Sequence, residues 1–212
     1  MKHLTVTAFV IVLSIWGIQA QNPSSMAQVG AKGGVNFSTI GGEDIEERDA
    51  RTSFHAGLFA ELPISDRFSI QPELLYSGQG FDIQEIDQDN VFDNDENIEY
   101  QLDYIQIPIM AKLYLVQGLY VEAGPQFGFK INEEIDTEPN SDGGDTPIDP
   151  DDSYVKDFDT SVGLGAGYKF GSGFFISGRY TQGLSNMFKE DTILENVDAK
   201  NAVWQFGVGF TF

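Results

Sequence analysis

The residues best suited to chemistry are charged side chains that recur at one parity of alternating apolar and polar segments. Three are carboxylates and five are cations, and the alternation predicts that all eight face the interior of the fold: Glu61, Glu73, Glu122, Lys32, Lys112, Lys130, Lys169 and Arg179. Opposite charges that share an interior could form a path for protons or ions. They could also form a hydrogen-bonded plug, because buried charges must be paired. We favour the plug.

His55 is the only histidine after residue 20, and Ser53 lies two residues away on the same predicted face. A histidine, a serine and an acid can hydrolyse a lipid, but the parity directs both side chains inward, away from such a substrate. Catalysis also needs a base and a nucleophile in mutual geometry. We therefore interpret His55 as part of the interior network and predict no catalytic residues and no enzyme activity.

A third candidate site is the acidic segment 142–152. Its five aspartates offer hard oxygen ligands of the kind that Ca²⁺ or Mg²⁺ prefers: Asp142, Asp145, Asp149, Asp151 and Asp152. The spacing does not match an EF-hand, which leaves two interpretations. In the first, the segment is a solvated loop that is extended by charge repulsion. In the second, it binds a divalent cation loosely, and lipopolysaccharide phosphates bind the same cation. No other cofactor is predicted, and the absence of cysteine excludes thiolate metal sites and disulfides.

The elements that carry these residues are strands, because apolar and polar residues alternate with period 2 through the chain. Eight segments show the pattern: 28–38, 53–62, 68–81, 105–115, 119–130, 158–170, 174–181 and 202–212. Pro72 interrupts the third segment and suggests a bulge, since proline removes a backbone donor. The predicted fold is all-β, an eight-stranded antiparallel up-and-down transmembrane β-barrel. Such a barrel is just wide enough for its own side chains to fill it, which is why the plug is favoured.

Negative charge is confined to the connections between these strands. Of the 33 acidic residues, 27 lie in the intervals 40–52, 82–99, 132–157 and 183–198, which carry a formal charge of −23. The rest of the chain sums to +2. Acidic loops that alternate with tight turns are typical of membrane β-barrels, with the loops outside and the turns in the periplasm. Nucleic acid is excluded as a partner, because its phosphates would be repelled.

The first 20 residues resemble a signal peptide. Lys2 and His3 precede an apolar stretch that runs to Ile18, and Ala20 is a small residue at the expected cleavage point. We predict a cleaved signal peptide over residues 1–20 and a barrel domain over residues 21–212. The expected location is the outer membrane of a Gram-negative bacterium.

Several short stretches together resemble a known family. They are GAKGGVNFS (30–38), YIQIPIMAKLY (104–114), GPQFGF (124–129), GLGAGYKF (163–170), RYTQGLSNM (179–187) and FGVGFTF (206–212). The combination is similar to the PorT-type outer-membrane β-barrel domain proteins of Bacteroidota. The resemblance implies an eight-stranded outer-membrane barrel whose terminal aromatic residue, Phe212, is recognised by the barrel-assembly machinery. PorT itself is implicated in type IX secretion, so the resemblance is compatible both with a secretion factor and with a relative that has no part in secretion.

The expected function is that of a non-enzymatic outer-membrane barrel whose acidic loops contact an extracellular partner or stabilise the outer leaflet. The alternatives are an accessory of protein secretion or assembly in the envelope and an outer-membrane lipid hydrolase. The expected partners are outer-membrane lipids, the barrel-assembly machinery during biogenesis and a further extracellular or periplasmic protein.

Overall fold

The computed structural model describes residues 26–41, 50–84, 97–137, 144–149, 153–189 and 199–212. These residues form nine strands: β1 (Gln28–Gly41), β2 (Arg51–Pro63), β3 (Phe68–Gln84), β4 (Asn97–Val116), β5 (Leu119–Asp136), β6 (Asp145–Pro147), β7 (Phe158–Lys169), β8 (Phe174–Gly183) and β9 (Lys200–Thr211). Within them, no helix is long and apolar enough to span a membrane.

Eight of the strands close into a barrel. Each pairs antiparallel with its neighbour along the chain, β5 pairs with β7 across the connection that carries β6, and β1 pairs with β9. The sheet therefore has no free edge around its circumference, which removes the unpaired backbone groups that a lipid environment cannot satisfy. The predicted eight-stranded up-and-down barrel is confirmed. The short strand β6 lies outside this ring and pairs with the end of β5.

The two faces of the wall follow the sequence alternation. On β5, Tyr120, Glu122 and Gln126 are buried inside, whereas Val121 and Phe129 are exposed outside. Leu58, Leu74, Leu164 and Trp204 on other strands are each more than half exposed. An outer wall of exposed apolar side chains around a polar interior is the arrangement that a lipid bilayer requires.

One end of the barrel, called here the turn end, carries three short connections, the first described residues of the chain and the C-terminal residue Phe212. The connections are residues 64–67, 117–118 and 170–173. Gly118 and Gly173 have φ values of 84° and 87°, a conformation that side chains disfavour, so glycine is required at these two positions. The opposite end, where the acidic intervals lie, is called the loop end.

The strands run further into the acidic intervals than the sequence pattern predicted. β3 continues to Gln84, β4 begins at Asn97 and β5 continues to Asp136, so that Asp82 lies opposite Glu99, and Glu99 opposite Asp136. Like charges in such pairs destabilise a sheet. Here Arg51 pairs with Glu99 at 3.0 Å, and a side-chain amide donates to Asp136 at 3.2 Å, which offsets the repulsion.

The prediction of a bulge at Pro72 is wrong. The β3–β4 pairs on either side of it, Ile70 with Ala111 and Leu75 with Gln106, have the same register. A register shift lies instead between β4 and β5. Tyr104 pairs with Lys130 and Asp103 with Asn132, so Ile131 is an extra residue on β5. This is the geometry of a β-bulge, which changes the direction of the side chains that follow it.

Candidate functional site

The centre of the lumen is a layer of buried ion pairs organised by Arg179. Its Nε donates to Glu122 Oε1 at 2.8 Å, and its Nη1 and Nη2 donate to the two oxygens of Glu73 at 3.0 and 2.7 Å. Nη1 also reaches Gln126 Oε1 at 3.3 Å. The fork of the guanidinium therefore bridges two carboxylates, one of them bidentately, which is the strongest geometry available to such a pair.

Two lysines complete this central layer. Lys32 Nζ lies 3.3 Å from Glu73 Oε2, and Lys112 Nζ lies 3.9 Å from Glu122 Oε2. The layer therefore joins β1, β3, β4, β5 and β8 by their side chains. Gly165 on β7 leaves room for it, since a Cβ there would lie 3.1 Å from Glu122 Oε1.

Aromatic rings close the lumen directly below, toward the turn end. Lys112 Nζ lies 4.1 Å from the ring centre of Tyr120 and 5.5 Å from that of Phe175. Phe59 packs edge-on against Phe175 with ring centres 5.4 Å apart. All three rings are buried. The charge layer and the rings fill the barrel as a plug would, and the rings stabilise the lysine by cation–π contact.

A second, smaller group lies at the turn end around Glu61. Its Oε1 accepts hydrogen bonds from Ser69 at 2.9 Å and Tyr114 at 2.6 Å, and its Oε2 accepts one from Lys169 at 3.1 Å. These side chains line a cavity of about 950 Å³, which is surrounded by the three short turns, residues 26–28 and residues 211–212. We call this cavity the vestibule.

His55 lies in a neutral polar layer on the loop-end side of the charges. Its Nδ1 is 2.7 Å from Asn36 Oδ1, and Asn36 Nδ2 donates to Ser77 Oγ at 3.0 Å, so the histidine nitrogen is the donor in its own bond. Ser53 donates to the carbonyl of Gly78 at 2.6 Å. Serine and histidine are thus each engaged with another partner, and the histidine ring is buried.

Lys130 belongs to neither lumen group. It lies at the loop end, where its Nζ contacts Glu133 at 2.5 Å, Ser153 Oγ at 2.7 Å, the carbonyl of Val155 at 2.9 Å and Asp157 at 3.3 Å. The nine residues predicted for the interior therefore occupy separate positions along the barrel. Five lie in the central layer, Glu61 and Lys169 at the turn end, His55 in the neutral layer, and Lys130 at the loop end.

Glu133 is the site residue that the sequence pattern missed. Strict alternation from Lys130 places it on the outer face, but the extra residue Ile131 returns it to the inside, where it is buried. Tyr100 and Ser153 donate to its carboxylate.

An apolar cluster lies beside this polar group at the loop end. It combines side chains of the wall with side chains of two connecting segments: Ile40, Phe81, Leu102, Tyr104, Val155, Met187 and Ala199, with Tyr100 and Phe188 packed against them. Residues 153–157 and 184–189 bring Val155, Met187 and Phe188 into the cluster. Val155 forms an antiparallel bridge with Phe188.

Only part of the aspartate segment can be placed. Asp142, Asp151 and Asp152 lie outside the described residues. Asp145 is part of β6, where its backbone pairs with that of Asp136, and the side chain of Asp149 is exposed. Within the described ranges, no group of three or more acidic, histidine or cysteine side chains is arranged to hold a metal ion. Calcium or magnesium binding by this segment stays a prediction.

A closed eight-stranded barrel with an apolar outer wall and a charge-paired lumen defines the class of small outer-membrane β-barrel proteins. Residues 19–189 match the family described as outer membrane protein beta-barrel domain. The chain belongs to this family. It is located in the outer membrane of a Gram-negative bacterium.

Several solved structures of outer-membrane barrels are similar to this chain. Neisserial surface protein A has 10% sequence identity and a TM-score of 0.56, with 88% of this chain and 99% of that chain covered. Ail, the attachment invasion locus protein of Yersinia pestis, has 14% identity, a TM-score of 0.46 and the same coverage. OprG from Pseudomonas aeruginosa has 13% identity and a TM-score of 0.41 over 89% of this chain and 97% of that chain. No curated protein sequence matches this chain.

Proposed function

We propose that this protein is a non-enzymatic, closed barrel whose acidic loops act at the cell surface. The observation that carries the proposal is the filled lumen, in which Arg179, Glu73 and Glu122 form a buried, mutually bonded group above a layer of aromatic rings. A barrel of this width whose interior is occupied by paired charges has no room left for a solute path. What it does for the cell then depends on its ends.

The loop end is the better candidate for that role, because 27 of the 33 acidic residues lie in the four intervals there. Carboxylates at this density attract divalent cations. We propose that the loops either contact an extracellular protein or share Ca²⁺ or Mg²⁺ with lipopolysaccharide phosphates and so stabilise the outer leaflet.

The experiment compares two loop variants in intact cells. One changes Asp142, Asp145, Asp149, Asp151 and Asp152 to Asn. The control removes the same number of charges from another loop, by changing Asp87, Asp89, Asp93 and Asp95 to Asn and Glu96 to Gln. Uptake of a hydrophobic fluorescent dye reports on the outer leaflet. We expect the first variant to increase uptake several-fold and to lose its response to added Ca²⁺.

The control variant decides how specific the effect is. Unchanged uptake in the control supports a divalent site in 142–152, whereas equal increases in both variants indicate that total charge matters. Wild-type uptake in both contradicts the outer-leaflet role. Cross-linking from the loops on intact cells then tests the other role, and capture of no extracellular protein contradicts it.

A second candidate function, an accessory role in protein secretion, is favoured by the vestibule. Its lining mixes the Glu61–Lys169 pair with apolar side chains of the rim such as Phe68 and Phe170, as a peptide-binding surface does. The chain has no cysteine, so Ser172→Cys introduces a single thiol at the rim. Periplasmic cross-linking from this position to secretion components supports the second candidate, and their absence from the products contradicts it.

A further inference from the structure

The loop end of the barrel is closed by two chain segments that do not belong to its wall. Residues 153–157 and 184–189 are joined to each other by the bridge between Val155 and Phe188 and by two backbone hydrogen bonds. In these bonds the N–H of Lys156 donates to Met187 and that of Lys189 to Tyr154, at 2.8 and 2.9 Å. They form a unit of their own, which we call the lid.

Few backbone contacts connect the lid to the wall. Asp157 accepts a hydrogen bond from the N–H of Lys130, Met187 donates one to Ala199, and Leu184 donates one to Thr160, each at 2.9 Å. A wall strand such as β7 is paired with β5 over Phe158–Tyr168 and with β8 over Ser161–Lys169. The lid therefore depends mainly on its side-chain contacts to stay in place.

Those contacts are of two kinds. Val155 and Met187 are buried in one apolar cluster with Leu102 and Tyr104 of β4 and with Ala199. Most of the polar contacts converge on Lys130, whose ammonium contacts the side chains of Ser153 and Asp157 and the carbonyl of Val155. In the second lid segment, Ser185 donates a hydrogen bond to Asp159 of β7 at 3.2 Å. Three of the five residues in the first lid segment thus contact one lysine of the wall.

The β-bulge at Ile131 makes this contact possible. Without the extra residue, Lys130 and Glu133 would point to opposite faces of β5. With it, both point inward, and Glu133 binds the ammonium of Lys130 and accepts a hydrogen bond from Ser153. Bulges often redirect side chains at the rims of barrels.

We propose that residues 153–157 and 184–189 are a separable lid on the loop end, and that Lys130 with Glu133 is the clamp that holds it shut. Release of the clamp exposes the apolar cluster and the neutral polar layer beneath, while the barrel wall stays closed. The central charge layer still blocks the lumen in that state. The lid controls access to the outer half of the lumen and not passage through it.

The test uses a thiol placed under the lid. The chain has no cysteine, and Ala199 is fully buried in the cluster, so Ala199→Cys gives one reporter. Its reaction with a polar maleimide is measured on folded protein in detergent micelles. Lys130→Met removes the clamp, and Glu133→Gln weakens it with almost no change in shape. Lys169→Met is the control, because it removes a partly buried lysine from an ion pair at the far end of the barrel.

We expect Ala199→Cys to react at least tenfold faster with Lys130→Met or Glu133→Gln than alone, and at its original rate with Lys169→Met. Folding is checked by the gel shift between heated and unheated samples, and Glu133→Gln decides the test if Lys130→Met does not fold. Fast reaction without any clamp variant shows that the lid is not closed and overturns the proposal. Slow reaction in every folded clamp variant shows that Lys130 and Glu133 do not hold it. Because micelles have no sidedness, neither result depends on the proposed surface role.

Discussion

Arg179 is the single residue on which most of the lumen depends. It touches both carboxylates of the central layer, and its side chain is only 2% exposed. The pairing of buried charges contributes little net stability by itself, but loss of one partner leaves the others buried without compensation. Arginine is also the cation that can donate to two carboxylates at once, which lysine cannot do with the same geometry.

Arg179→Met is therefore expected to destabilise the folded barrel by about 3–5 kcal/mol, the cost of leaving Glu73 and Glu122 without their guanidinium. Urea unfolding in lipid vesicles measures the change. Arg67→Met, in an exposed turn, is the matched control and should lie within about 0.5 kcal/mol of wild type. Equal stabilities for the two variants would contradict a structural role for the central pairs.

The glycines of β1 give a second test at single-residue scale. A Cβ on Gly34 would lie 2.0 Å from the carbonyl oxygen of Phe206, whereas a Cβ on Gly41 in the same strand would meet nothing within 4 Å. We expect Gly34→Ala to cost about 1–3 kcal/mol, as overpacking does, and Gly41→Ala to leave stability unchanged. The unfolding midpoints of the two variants provide the comparison. Tolerance of alanine at both positions would mean that β1 and β9 lie further apart than described.

At the scale of the strand, the depth of an outward side chain in the membrane determines how much a charged substitution there destabilises the barrel. Leu164 on β7 and Leu184 just beyond β8 both point outward and are 66% and 59% exposed. Leu164 lies in the middle of its strand, opposite Ala123 on β5, while Leu184 lies at the loop end. The two leucines are therefore a matched pair for one substitution.

Leu164→Arg should destabilise the barrel by about 2–4 kcal/mol, because it places a cation near the middle of the bilayer, and Leu184→Arg by about 0–1 kcal/mol. The heat-sensitive folded band on gels should be lost or weakened only for Leu164→Arg. A normal folded band for Leu164→Arg with loss of the band for Leu184→Arg would reverse the assigned positions of membrane and loop end.

The strands show how far the sequence could predict the structure. Period-2 alternation identified all eight wall strands and the three turns, since a face in contact with lipid and a face in contact with the lumen must differ at every step. It ended β3 and β5 too early and began β4 too late, because acidic residues were assigned to loops. Pairing in the structure continues past Asp82 and Glu133. Alternation also could not locate the bulge at Ile131. One extra residue at this position leaves the apolar pattern of the preceding part of β5, toward the turn end, unchanged.

The partners of the site residues were less predictable from the sequence than the strands were. Parity gave the inward direction of Arg179, Glu73 and Glu122, but the partner of each depends on the register between distant strands. The lid was missed entirely. Val155 and Met187 lie in two-residue apolar stretches, Tyr154-Val155 and Met187-Phe188, within polar segments, and nothing in the sequence indicates that these stretches meet.

For the molecule as a whole, the layered interior predicts that the barrel does not conduct ions. The purified protein in a planar bilayer should show no stable open steps of the size that porins give, because the charge layer and the rings of Tyr120, Phe59 and Phe175 block the lumen. Lys130→Met should behave in the same way, since the lid lies above that block. Large, stable steps from either protein would contradict the filled lumen.

The orientation of the whole barrel is the remaining prediction. A protease of broad specificity added to intact cells should cut between residues 137 and 153, in the acidic connection, and should spare residues 64–67, 117–118 and 170–173. Extended acidic segments at the surface are accessible, whereas short turns on the periplasmic side are shielded by the membrane. Cuts that occur only after the outer membrane is permeabilised would mean that the loop end faces the periplasm.

The pairing of β1 with β9 also sets an order of events during biogenesis. Seven of the eight seams of the wall join strands that follow one another along the chain, but the eighth joins β1 to β9 and pairs Gly30 with Thr211, almost the full length of the chain apart. Contacts at such sequence separation form late, because the entropy of closing a long loop opposes them. Until β9 pairs with it, one edge of β1 has backbone N–H and C=O groups without a partner, which a lipid environment cannot satisfy. We therefore expect completion of that final seam to be the step that removes the last free edge of the wall.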